Sequence, residues 1–174
     1  MPFTPFHLGP GLAVKSLGGR RFSFLLFGFS QVLIDLEPGY YILTDQPPLH
    51  RFFHTYLGAT LILVLSLLFG KPICEIVIRV WNGTIDGNSR FALQPSISWL
   101  AALLGAGVGA YSHVLLDSIM HSDMRPFAPF AAGNNLLGAI TVEQLHLACV
   151  YLGLAGVFIL LAIFLLRRDQ RSRS

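Results

Sequence analysis

Four apolar stretches of about twenty residues dominate the chain, and each is long enough to cross a hydrocarbon layer as a helix. They run from Phe22 to Leu43, His50 to Gly70, Ile97 to Met120 and Val142 to Leu166. A backbone in lipid must satisfy its own hydrogen bonds, so such stretches fold as helices. Only 12% of the residues are charged and 53% are hydrophobic, against about 25% charged in ordinary soluble domains. The expected fold class is all-α, a polytopic membrane protein with about four transmembrane helices. Residues 1–166 read as one helical membrane domain and 167–174 as a basic, disordered tail.

Two shorter pieces complete the pattern. Thr4 to Leu17 suggests a helix weakened by Pro10 and Gly11; it is too short to span and reads as a re-entrant or interfacial segment. "PICEIVIRVWNG", Pro72 to Gly83, either extends the second helix past Pro72 or lies at the interface. Gly105, Gly107, Gly109 and Ala110 suit close helix packing in lipid. The N-terminus lacks the basic start and apolar core of a cleaved signal, so it is expected to remain. Cys74 and Cys149 have no metal-type spacing and read as small buried hydrophobes.

Charge sets the expected orientation. Lys15, Arg20 and Arg21 precede the first span; Lys71, Arg79 and Arg90 lie between the second and third; Arg167, Arg168, Arg171 and Arg173 follow the fourth. The other side has only Arg51 and Arg125. The positive-inside bias puts both termini in the cytoplasm. The loops near Thr44–Leu49 and Ser122–Thr141 then face outward. A formal charge of +3 is too small to argue for a nucleic-acid partner.

Against this apolar background, "SHVLLDSIMHSD" sets His113, Asp117 and His121 four residues apart. At about 1.5 Å per residue, Asp35 lies roughly 21 Å above Arg21, His54 roughly 25 Å above Lys71, and His113 roughly 21 Å above Trp99. Asp35, Glu37, His50, His54, His113, Asp117 and His121 therefore meet at one height, near the outer boundary. Residues four apart share a helix face, which pairs His50 with His54 and His113 with Asp117. Imidazole and carboxylate are ligands of zinc and other first-row ions. Pro38-Gly39 is expected to end or bend its helix and turn Glu37 inward. A lone intramembrane His or Asp is often a packing or hydrogen-bonding residue, and His7 and His146 taken singly read that way. Tyr40, Tyr41, Trp99 and Tyr111 read as interface or packing aromatics. Convergence of several such groups on one depth favours a functional site.

These residues carry a resemblance. The chain looks like the bacterial family of membrane-bound, predicted metal-dependent hydrolases, the inner-membrane group that includes a LexA-regulated member. That family is marked by an early His, an acidic pair closing the first long helix, an H-R-x-x-H-[ST] motif, and H-x-x-x-D followed by a Pro-containing outer segment. The corresponding residues here are His7; "IDLEP" with Asp35 and Glu37; "HRFFHT" with His50, Arg51, His54 and Thr55; and "HVLLDSIMHSDMRPFAPF" with His113, Asp117 and Pro126. Glu37 in the second acidic position, and His121-Ser122-Asp123 where a Gly is more usual, depart from the pattern while keeping ligand capacity. The His/Asp pattern is more weakly similar to that of the all-helical zinc-dependent phospholipase C enzymes.

The resemblance implies a metal-dependent hydrolase at the inner membrane, with one or two divalent ions, zinc foremost. Candidate ligands are His7, Asp35, His54, His113 and Asp117, with His50, His121 and Glu37 in reserve. Such an ion lowers the pKa of a bound water to about 7. Glu37 or Asp123 would take the proton. Arg51 and Arg125 would meet an oxyanion, or else serve as topological anchors. A site at headgroup depth suggests an ester or phosphoester of a lipid or lipid-linked substrate. Two other classes are open: a metal or proton transport component, disfavoured by bare inner halves such as "LILVLSLLFG", and a non-catalytic membrane subunit with a polar cluster as interhelical glue. His7 is the weak joint, because a helix lifts it only roughly 12 Å above Lys15, short of the other ligands.

Overall fold

A computed structural model describes residues 5–85, 89 and 91–172, with side chains to Leu166. Arg90 and the side chains of the basic tail lie outside the described residues. The fold is all-helical, with no strand among the described residues. A 3-10 turn, Pro5–His7, leads into α1 (Leu8–Gly18), and a second, Gly19–Arg21, leads to α2 (Phe24–Leu43). Then come α3 (Tyr56–Leu65), α4 (Lys71–Thr84), α5 (Trp99–Met120) and α6 (Val142–Ser172).

Serine and threonine begin three of these helices. The hydroxyls of Ser23, Thr55 and Ser98 accept from the amides of Leu26, Gly58 and Ala101, each satisfying an orphan donor in the first turn. A π-turn, Ser66–Gly70, joins α3 to α4 and makes Tyr56–Thr84 one continuous rod of 29 residues. Pro72 lacks an N–H and crowds the preceding turn, and a π-bulge directly before it relieves both problems. The second helix therefore extends past Pro72, the first of the two alternatives.

Among the described residues, three helices are long and apolar enough to cross a membrane: Tyr56–Thr84, Trp99–Met120 and Val142–Leu166. The expected fourth, α2, has 20 residues, but Gln31, Asp35 and Glu37 dilute its hydrophobicity and it is not among the three. Nor does α2 stop at Pro38. It runs on to Leu43 with Pro38 buried inside it.

α2 packs against α5 where side chains are smallest. A Cβ at Gly109 would strike Ser30 Oγ and the Phe27 carbonyl, and one at Gly105 the Ser23 carbonyl. Gly107 faces away, with only Leu63 near it. Leu26, Ala102, Ala106 and Cys74 form one apolar cluster; Ile34, Ala59, Ile62, Ala110, Val114 and Met124 form another. Both cysteines are buried and free.

α1 lies along α6. Gly9 abuts the Cys149 backbone, and Gly156 abuts Leu12 and Ala13, so the two helices run in the same direction. α1 thus descends from His7, and α2 climbs back beside α5. Pro5 and the end of α6 lie at opposite ends of the bundle, whereas the charge reading puts both termini on one side. Of the C-terminal "RRDQRSRS", the part to Ser172 continues α6 as helix; residues 173 and 174 lie outside the described residues.

Candidate metal centre

Four separate pieces of chain deliver the titratable groups to one pocket. The 3-10 turn brings His7, the upper half of α2 brings Asp35 and Glu37, the segment before α3 brings His50 and His54, and the end of α5 brings His113, Asp117 and His121. His7 reaches the pocket. Its depth is set from the turn at residues 18–24, not from Lys15, whose ammonium bonds the Gly19 and Phe22 carbonyls. His7 and Asp35 each stand eleven residues from that turn's edges, Gly18 and Phe24, about 16 Å of helix in both cases.

Asp117 is the hub. Its Oδ1 lies 3.5 Å from His7 Nε2 and 3.9 Å from His121 Nε2. Its Oδ2 lies 3.2 Å from His113 Nε2, 3.5 Å from His54 Nε2 and 3.9 Å from His50 Nε2. Asp35 Oδ1 closes the far side, 3.2 Å from His113 Nε2 and 3.8 Å from His54 Nε2. Two donors about 2.1 Å from one zinc ion can be at most about 4.2 Å apart. All of these pairs satisfy that limit. His7, Asp35, His50, His54, His113 and Asp117 are buried, and His121 is partly exposed.

The ring orientations follow from outer partners. Gln31 Nε2 donates to the Gly109 carbonyl at 3.0 Å, which can only accept. Gln31 Oε1 must therefore face His113 Nδ1, and it accepts that N–H. In the neutral ring, Nε2 of His113 then carries the lone pair, 3.2 Å from an oxygen of each of two carboxylates. His50 repeats the device: Asp123 Oδ1 accepts from its Nδ1 at 2.9 Å, leaving Nε2 toward Asp117. At His54, Glu37 Oε2 lies 3.6 Å from Nδ1, longer than a hydrogen bond, while the same oxygen accepts the Phe53 amide at 2.8 Å. Both ring nitrogens of His7 and of His54, and Nε2 of His113, have no hydrogen-bond partner among the described residues. A buried lone pair opposite a carboxylate is repulsive unless a cation lies between them. The donor set, its spacing and its orphaned nitrogens fit a divalent ion.

Outside the spanning helices the electrostatics agree. Burial, then neighbouring His54, holds His50 below the ordinary imidazole value, and burial does the same at His121. Neutral imidazole is the form that binds metal. At Asp123, burial favours the acid, but the Leu49 and His50 amides and the His50 ring outweigh it and hold the carboxyl below its usual value.

The remaining candidates are placed differently. Asp123 spends both oxygens on Leu49 and His50. Arg51 donates to the Pro48 and Gln46 carbonyls and stacks 3.6 Å from the Tyr41 ring centroid, so its fork secures the loop before α3. Arg125 is exposed on the loop that follows α5. That loop covers the centre: the Tyr56 amide donates to the Pro126 carbonyl and Asn134 to the Ser118 carbonyl. His146 stacks on Phe6, with ring centroids 4.4 Å apart, next to His7 in the chain. Gln31 is absent from the residues singled out in the sequence. An amide inside an apolar helix, one turn before Asp35, is the signal that identifies it.

Comparison of the chain with protein-family models, with curated proteins and with solved structures finds no match.

Proposed function

We propose that the chain is a membrane-embedded, metal-dependent hydrolase of an ester or phosphoester in a lipid or lipid-linked substrate. The observation that carries the reading is the orphaned Nε2 of His113, held by Gln31 against Asp35 and Asp117. Asp35, His54, His113 and Asp117 Oδ2 would hold one ion. Asp117 with His7, or with His50 and His121, would hold a second. Zinc is favoured by the imidazole-rich donor set. Bound there, the metal would supply a water of lowered pKa and a Lewis acid for the substrate oxygen.

The chain's own groups would orient and move protons. Water oxygen bonds to the acyl carbon or phosphorus, the ester C–O or P–O bond breaks, and a water proton goes to the leaving oxygen. Glu37 is the candidate to relay that proton, since its Oε1 carries no hydrogen bond among the described residues. Arg125 is the candidate to meet a headgroup oxyanion. The site lies at the opposite end of the bundle from Arg20, Arg21 and the basic tail, which supports an outward-facing centre in a bacterial inner membrane.

Elemental analysis of the protein purified in detergent tests the reading, alongside a screen of phospholipid and phosphoester substrates. Zinc at one to two ions per chain, lost together with activity in His113→Ala and Asp117→Ala, is the expected result. A double variant that keeps full metal stoichiometry removes the ligand assignment.

A further inference from the structure

A groove of about 540 Å3 opens beside the centre, within the range of ligand pockets, roughly 300–1,000 Å3. One wall is α2, with Leu25, Gly28 and Val32; the other is α4, with Ile73 and Val77. Its polar side chains, His7, Gln31 and Asp35, gather at one end. From there the groove follows α2 to Phe24, about 16 Å down the helix. No charged side chain other than His7 and Asp35 lines it.

Three observations specify the occupant. The α4 wall belongs to the rod Tyr56–Thr84, one of the helices long and apolar enough to cross a membrane, so the groove runs along a candidate span. Leu25, Val32, Ile73 and Val77 are 38%, 44%, 46% and 53% exposed, so it opens sideways toward lipid. Its closed end is His7, 4% exposed, with both ring nitrogens unpartnered. Water-soluble ligands have no polar partner along its length, whereas a hydrocarbon chain needs none. A Cβ at Gly28 would meet nothing within 4 Å, so this glycine leaves space at the wall without serving helix packing.

We propose that this groove holds one alkyl or acyl chain of an amphiphilic substrate that enters from the bilayer and presents its polar head at His7 and Asp35. The assignment rests on the hydrolase reading for the chemistry of the head, and names the substrate class as a lipid cleaved at its headgroup end. Gly28→Leu and, from the opposite wall, Val77→Trp should fill the groove without touching a metal ligand. Excluding two or more methylenes weakens binding about tenfold.

The test uses dodecyl phosphate carrying a diazirine on its terminal carbon, added to the full-length protein in phosphatidylcholine nanodiscs, with zinc content measured in parallel. Photolabelling concentrated on Phe24–Gly28 and Ile73–Val77, and reduced about tenfold in both variants at unchanged zinc content, supports the groove. Labelling spread over the exposed face of α6, or unaffected by both substitutions, overturns it. Specific groove labelling in a protein that binds no zinc would keep the chain site and end the hydrolase reading. Zinc binding without groove labelling would do the reverse.

Discussion

Gln31 decides which nitrogen of His113 faces the carboxylates. Its amide is anchored by the Gly109 carbonyl, so its oxygen can only receive the Nδ1 proton. Outer partners of this kind typically contribute 10–100-fold in metal affinity. Gln31→Leu should therefore weaken zinc binding by about that factor while His113 stays in place. Competition titration against a chromophoric chelator measures it. Affinity unchanged within about twofold would show that packing alone orients the ring.

Metal removal should be felt as stability. Five buried histidines and aspartates surround the buried Asp117 with few neutralising partners. An ion that binds only the folded state adds about 2.7 kcal/mol at a hundredfold excess over its Kd. Chelation should lower the thermal midpoint in detergent and zinc should restore it. Asp117→Ala should erase the response, whereas Arg51→Ala, remote from the ligands in role, should keep it.

Asp123→Ala should separate the two proposed ions. It removes the acceptor that turns His50 Nε2 toward Asp117 and leaves Asp35, His54 and His113 untouched. Zinc should fall by about one ion per chain, with activity down roughly 10–100-fold. Loss of all zinc would mean that the positions are not independent.

Gly9 and Gly28 should respond in opposite ways to a side chain. A Cβ at Gly9 collides with the Cys149 backbone, where nothing can rotate away. Gly9→Val should cost about 1–3 kcal/mol and disturb His7, two residues before it. Gly28→Ala meets open space inside a helix and should stabilise by about 0.5–1 kcal/mol. Denaturant unfolding of both variants gives the comparison.

The clustering of the candidate ligands was legible in the sequence because charged groups in apolar helices need a reason to be there. Asp35, His54, His113 and Asp117 announced themselves by depth and by four-residue spacing, and they meet within side-chain reach. The number of spans was less legible. α2 has a spanning length, but the polar residues that build the centre lower its hydrophobicity, so composition and function compete in one helix. Pro38 does not end the helix, since a proline ring can be housed in one when its neighbourhood is buried, while Glu37 beside it does turn inward, toward Phe53 and His54. Asp123 and Arg51 could not be sorted from the motifs. Their roles depend on which backbone groups the outer loops bring to them, and irregular loops leave no period to read.

The seating of α1 on α6 reverses the order of synthesis. His7 is made before the surface that holds its helix, around Cys149 and Gly156. A chain that ends before Val142 holds Asp35, His54 and Asp117, but it lacks the α6 surface that α1 lies along. Seating of His7 at the centre is thereby tied to the synthesis of α6.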